Sequence, residues 1–425
     1  MKSRILGTAL FLTALFVTAI ACSISPEDKN DNKKTLKPTD LEYLGAFRLP
    51  RGGTQDALTW NYSGSAMTYY PKGDPKGGND GFPGSIFGTG HEQHQYVSEF
   101  SIPKPVISKK KNVKDLNRAK TLQPFTDIRD ASFKKYEMPR VGIEFLEKHG
   151  RQDDDYLFFT WAQHLDETAT GPSLGAHKLK LSDSQSWGPW KIDGKSNYLT
   201  ADLLFKIPDQ WAKQNTSGMR LAMGRYRDGG QSSQGPTIIV CNPAANGKLP
   251  KKGASIKNKT LLRYPNILDD PKAAKGLKDY THADAWNGAI WVASKGKQAM
   301  IFTGIKGEGK CWYGYGDGTV WPENPPFPPE PEGGRGWWAK KFTPMFLFYD
   351  PDDLAKVARG RMKPHEPQPY AKMDISSHLF NIPKNEIWMM LGAACVDNKN
   401  GIIYMFEHNG DAENSESIVH VWKIK

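Results

Sequence analysis

Five times along this 425-residue chain a short apolar run is followed by a polar loop and a second apolar run, and that cadence limits the fold more than any other feature. The pairs are residues 85–90 before 97–102, 156–161 before 177–181, 220–225 before 237–240, 299–303 before 346–350, and 402–406 before 419–424. Runs of this length, bounded by turn residues and rich in β-branched and aromatic side chains, read as strands. Lys120-Thr121-Leu122-Gln123-Pro124-Phe125-Thr126-Asp127-Ile128 aligns without gaps on Lys259-Thr260-Leu261-Leu262-Arg263-Tyr264-Pro265-Asn266-Ile267, with four identities, and Gln368-Pro369-Tyr370 with Asp374-Ile375 is a looser third copy. Helical character is confined to Pro208-Asp209-Gln210-Trp211-Ala212-Lys213 and Asp352-Asp353-Leu354-Ala355-Lys356-Val357-Ala358.

Five repeated units of three or four strands are what a β-propeller supplies. The last unit runs out of chain after its third strand, whereas Leu41-Glu42-Tyr43-Leu44-Gly45-Ala46-Phe47 is a lone strand with no unit of its own. Pairing the two would close the ring and remove an open sheet edge. The expectation is an all-β propeller of five four-stranded blades, closed by the N-terminal strand on the C-terminal blade. Six or seven blades, a β-sandwich and a β-helix are the alternatives. A Pro/Gly/Trp-rich insertion is expected around residues 306–340.

The N-terminus bears on location. Residues 1–4 carry two positive charges and residues 5–21 none, the pattern of a signal peptide rather than a retained membrane span. It ends in Ala19-Ile20-Ala21-Cys22, which resembles a lipobox, so cleavage before Cys22 and lipidation of Cys22 are expected; an ordinary secretory cut near Ala21 is the alternative. Residues 22–40 are polar and charged and read as a disordered, lipid-anchored tether, leaving 41–425 as one propeller domain. The protein is then exported and anchored to the outer membrane or cell surface.

Losing Lys2 and Arg4 with the signal lowers the formal charge from +11 to +9. For an exported basic protein the fitting partner is an anionic glycan or another polyanion, not nucleic acid, with the membrane met only through the anchor. A monomer is expected. With Cys22 committed to lipid, Cys241, Cys311 and Cys395 allow one disulfide at most, so a core and not a cystine framework holds the fold.

In a propeller the turns after each blade's second strand share one face. Here they are residues 90–95, 162–167, 225–230, 304–313 and 407–411, and each carries His, Arg or Lys. Four of the ten histidines stand there: His91, His94, His164 and His408. Such groups suit an acidic sugar: Arg forks a carboxylate, His moves protons near neutral pH, and aromatic faces stack on pyranose rings. The candidate catalytic residues are His91, His164, Arg225 and Tyr226, and the candidate substrate-binding residues are His94, Arg227, Trp312, Tyr313, Trp337 and His408. A polysaccharide lyase would use Arg225 or Arg227 to neutralise a uronate, a histidine as base, and Tyr226 or Tyr313 as acid. A glycosidase would need two facing carboxylates, for which Glu92, Asp228, Glu308, Glu407 and Asp411 are available. His91 and His94 could chelate calcium or zinc if His164, His408 or a carboxylate completed the shell, although no residue is assigned as a ligand. A non-catalytic protein-interaction or structural module is the competing reading.

At Leu41-Glu42-Tyr43-Leu44-Gly45-Ala46-Phe47-Arg48, Gly90-His91, Arg225-Tyr226-Arg227-Asp228-Gly229-Gly230, Cys311-Trp312-Tyr313-Gly314-Tyr315 and Arg335-Gly336-Trp337-Trp338, the chain resembles a group of exported bacterial β-propeller-like lipoproteins. The resemblance spans most of the chain after the signal. It implies export and the propeller, and it supplies no activity, substrate or catalytic residue.

Overall fold

The computed structural model describes residues 34–138, 140–161, 170–225, 233–265, 276–329, 334–382 and 390–425. Within them twenty-two strands form five sheets, each built on a four-stranded antiparallel blade, and two of the sheets add a two-residue parallel strand, Ser255–Ile256 on the second blade and Lys34–Thr35 on the fourth. The first blade is Met67–Tyr70, Ser85–Thr89, Val97–Ser101 and Thr121–Thr126. The second is Val141–Leu146, Tyr156–Trp161, Leu174–His177 and Ser186–Ile192, and the third is Leu203–Lys206, Leu221–Gly224, Ile238–Cys241 and Asn258–Leu262. The fourth is Ala285–Ser294, Lys297–Gly314, Gly336–Tyr349 and Ala371–Asp374. The fifth is Leu391–Asp397, Ile402–Asp411 and Glu416–Ile424, completed by Leu41–Arg48. The first strand of each blade touches its counterparts in the two neighbouring blades, so five inner strands close a ring around an axis. The protein is a five-bladed β-propeller.

The repeated cadence marks the second and third strands of every blade. These middle strands are covered on both faces, because blades pack face to face, and successive side chains enter different cores. Ile86 joins a cluster with Phe406 and Val419 of the fifth blade, while Phe87 joins Leu157 and Phe159 of the second. Ile403 and Met405 face the fourth blade, and Tyr404 and Phe406 face the first. The result is five inter-blade cores in which each large apolar side chain contributes roughly 1.5–3 kcal/mol. One reading shifts by a few residues: the third strand of the second blade is Leu174–His177, ending where 177–181 was expected to begin.

Closure is as expected. Leu41 pairs with Ile424 and Arg48 with Ile418, antiparallel along the whole strand. Gly45 bulges this strand at φ +112°, and a Cβ there would lie 2.3 Å from the Val106 carbonyl carbon. Next to it, Ala46 exchanges both backbone hydrogen bonds with Val106 at 2.9 and 3.0 Å. Gly45→Ala should therefore cost about 2 kcal/mol in denaturant unfolding, through strain and lost pairing; a loss under about 0.5 kcal/mol would mean the bulge relaxes freely.

The folded body begins earlier than the sequence suggested. Residues 34–40, read as part of the tether, are tied down: Lys34 and Thr35 pair in parallel with Lys297 and Gln298, and Leu36 is fully buried in the core between the fourth and fifth blades. Asp40 accepts from Lys297 Nζ at 2.8 Å. One apolar side chain in a polar segment is enough to anchor it. The expected signal sequence and Cys22 lie outside the described residues.

The expected insertion at 306–340 is a continuation of the fourth blade's central hairpin, whose arms pair as far as Gly314 with Gly336. Cys241, Cys311 and Cys395 are all free thiols.

Candidate functional site

Each inner strand begins where the second strand of its blade ends. Met67 pairs with Gly88, Val141 with Trp161, Leu203 with Gly224, Ala285 with Ile305 and Leu391 with Glu407. The connectors between blades and the turns after the second strands therefore share one face, and the inter-blade connectors lie nearer the axis.

Polar groups from all five blades meet there. Ser65, Asp202 and Asn287 line a neck of about 10 Å³ together with Ala66, Gly142, Gly288 and Ala393. Arg140 stands immediately before the second blade's inner strand, with Nη1 3.5 Å from Asn287 Oδ1. Asn287 in turn donates to the Leu391 carbonyl at 2.5 Å. His408 completes the set from the fifth blade.

His408 is 3% exposed, and its Nδ1 lies 2.8 Å from the Ser63 carbonyl oxygen. A carbonyl only accepts, so Nδ1 carries the proton and Nε2 keeps its lone pair. That Nε2 is buried and has no hydrogen-bond partner among the described residues. Burial, and then the positive charge of Arg140, lower the imidazole pKa to about 4, so the ring is neutral at physiological pH. Glycines make room for it: a Cβ at Gly64 would lie 2.9 Å from the ring and one at Gly392 3.1 Å from Nε2.

Arg225 sits across the axis in the third blade. Its Nη1 is 3.1 Å from Asp202 Oδ2, and its guanidinium lies 4.0 Å from the centroid of the Tyr198 ring. The guanidinium thus has a carboxylate partner, which places its charge at the edge of the neck without leaving it unneutralised. Asp284 is likewise held by Lys306 at 2.8 Å, although burial pushes its pKa up. Glu407 lies 2.6 Å from His420 Nε2.

His91 and His94 stand together on the first blade's turn, ring centroids 5.6 Å apart, beside Tyr62 and Tyr96. His91 Nδ1 accepts from the Gln93 amide at 3.2 Å, and the His91 amide is bonded to the Thr59 carbonyl. The connector running from Thr59 to Ser63 therefore contacts both His91 and His408. Among the described residues no group of three or more His, Cys, Asp or Glu side chains is arranged to hold a metal ion.

Trp312, Tyr313 and Trp337 project on the fourth blade's hairpin, and their faces are largely occupied. Trp337 stacks on His282 at 4.4 Å and meets Tyr313 at 5.4 Å. Arg335 lies over Trp321 at 4.2 Å, and Trp321 stacks on Phe327 at 4.8 Å. The Trp312 indole N–H is bonded to the Tyr315 carbonyl at 3.0 Å. Trp312 and Trp337 also pack against the core between the fourth and fifth blades, and both stay half-buried. His164, Tyr226 and Arg227 lie outside the described residues.

Of the turn residues proposed from the sequence, Arg225 and His408 stand by the neck, and His91 and His94 stand on the first blade's turn. Ser65, Arg140, Asp202 and Asn287 were not among the candidates, although Arg140 and Asp202 each immediately precede an inner strand, a signal the sequence carried.

No protein-family model matches the chain, and no curated protein matches it. Among solved structures it is similar to that of an exo-1,5-α-L-arabinanase from a bovine ruminal metagenomic library, at 12% identity over 86% of this chain and 92% of that one, with a TM-score of 0.38. The activity in that name belongs to that protein, and the five-bladed assignment here rests on the strand pairing itself.

Proposed function

We propose that this protein is a cell-envelope lipoprotein, anchored through Cys22, that binds an anionic polysaccharide at the face where the inter-blade connectors meet. The observation that carries this reading is the convergence, from five blades, of Ser65, Arg140, Asp202 with Arg225, Asn287 and His408 around one neck. Arg140 is the fork for a uronate carboxylate. His408 offers a lone pair on a buried Nε2, and an anion on Arg140 would remove the part of its depressed basicity that Arg140 adds to burial. Lyase chemistry fits this pairing better than glycoside hydrolysis. Hydrolysis needs two available carboxylates, whereas Asp202, Asp284 and Glu407 are each engaged by Arg225, Lys306 and His420.

The test uses soluble protein beginning at Ser23, its retention on uronate polysaccharides, and the ultraviolet absorbance of unsaturated uronate products. Arg140→Ala should weaken retention by at least about 10-fold while leaving the unfolding midpoint close to wild type. Release of unsaturated product would establish cleavage. Retention without product leaves a binding module, and no retention at low salt refutes the glycan reading.

A further inference from the structure

The axial channel widens at the end opposite the candidate site. Below Ala289 and Ala394, which also line the neck, it opens into a well of about 730 Å³ walled by the inner strands of all five blades. That volume falls within the roughly 300–1,000 Å³ of small-ligand sites. Tyr69, Phe145, Phe205 and Trp291 contribute apolar wall, and the rim carries hydrogen-bonding side chains.

The lysines that reach into the well, Lys72 and Lys206, are each paired with carboxylates. Lys72 pairs with Asp155 at 3.1 Å, and Lys206 pairs with Glu147 and, at 3.2 Å, with Asp209. Asp397 accepts from the Lys399 and Asn400 amides at 3.0 and 3.1 Å. The Lys148 and Lys399 side chains stand exposed at the edge. Glu144 differs from the other carboxyls: it is partly accessible from the well, enclosed by protein around it, and stands beside Thr68 with no ion pair to a cation among the described residues. Burial drives its pKa well above the carboxylate range against the opposing influence of Thr68, Lys206 and Arg220, with Glu147 adding to the rise. Lys148 and Lys399 offer charge only at the edge, so an ionic ligand seated deep in the well, beside Glu144 and the paired Lys206, would lose its hydration without meeting an unpaired cation there, which is costly. A ring with apolar faces and hydroxyl edges meets matching groups at every level.

We propose that the well binds an uncharged sugar, a neutral di- or trisaccharide unit, with Glu144 as a hydrogen-bonding group deep in its wall. The proposal is independent of the anionic site at the other end of the axis. Calorimetric titration of the soluble protein with cellobiose, maltose, xylobiose and a glucuronate-containing disaccharide tests it. A neutral disaccharide should bind with a dissociation constant below about 1 mM, and the uronate at least ~10-fold more weakly. Glu144→Gln, which keeps a neutral hydrogen-bonding amide, should retain affinity within about 3-fold, and Glu144→Leu should lose at least about 10-fold. Wild-type affinity should fall as pH rises through the Glu144 pKa while the Gln variant stays flat, a readout that survives if the Leu variant does not fold. Preference for the uronate, no binding of any neutral sugar, or equal damage from Gln and Leu would each overturn the proposal. Arg140→Ala should leave this binding unchanged, which separates it from the anionic site.

Discussion

Glu407→Ala is expected to destabilise the propeller by about 4 kcal/mol, the largest effect of any single substitution considered. The Glu407 side chain is wholly buried and accepts from the Phe380 amide at 2.8 Å, the Asn381 amide at 2.7 Å and His420 Nε2 at 2.6 Å. His420 Nδ1 is 2.8 Å from the Tyr43 hydroxyl. Burial, and then the charge of Glu407, push the Tyr43 phenol above its usual range, so it stays protonated and donates to Nδ1 while Nε2–H donates to the carboxylate. One carboxylate thus joins the connector ahead of the fifth blade to that blade's interior and, through His420, to the closing strand. Alanine would leave three buried donors without an acceptor, at about 1–3 kcal/mol each before relaxation. Gln at the same position keeps an acceptor for the amides and should cost about half as much. Urea unfolding measures both; a loss below about 1 kcal/mol for the alanine variant would show that water replaces the carboxylate.

The second large effect concerns pH. His408 titrates near its ordinary value of 6.5 when unfolded and at about 4 when folded. Below the unfolded pKa the unfolded chain binds the proton and the folded one does not, so the stability present above pH 6.5 is lost as pH falls through 4. The difference corresponds to about 3 kcal/mol. His408→Asn removes the titrating ring while retaining a donor for the Ser63 carbonyl, so the stability gap between wild type and variant should shrink by about that amount between pH 7 and pH 4. A gap that does not change with pH would mean that solvent reaches Nε2. Bound uronate at Arg140 should blunt the wild-type loss in part, because it offsets the Arg140 repulsion that adds to burial in keeping the ring neutral.

Much of this architecture could be read from the residues because face-to-face blades bury both sides of their middle strands. Phe87, Phe158, Met223, Ile301 and Tyr404 all sit in uninterrupted apolar runs for that reason. The outer strand of the second blade was harder to see, since Trp187-Gly188-Pro189-Trp190 breaks both its pattern and its pairing register. The site was half legible. His408 and Arg225 stand at the ends of readable strands, but Arg140 and Asn287 matter because of their distance from the axis, and radial order is set by how blades pack around the ring. The well was not legible at all: Glu144 is one polar residue in Val141–Leu146, and nothing local says that strand lines a channel.

The pairing of Leu41–Arg48 with Glu416–Ile424 also sets an order of events. Apart from its bridges to Val106 and Arg118, Leu41–Arg48 finds its ladder partner only in Glu416–Ile424, a contact that spans almost the whole sequence. Four blades and part of a fifth can assemble as an open arc, but the axis is enclosed only when the two ends meet. The ring therefore works as a completeness check: a chain ending short of Glu416 has no third strand for its last blade, and the edge of Leu41–Arg48 that faces that strand stays open to proteases and to other copies.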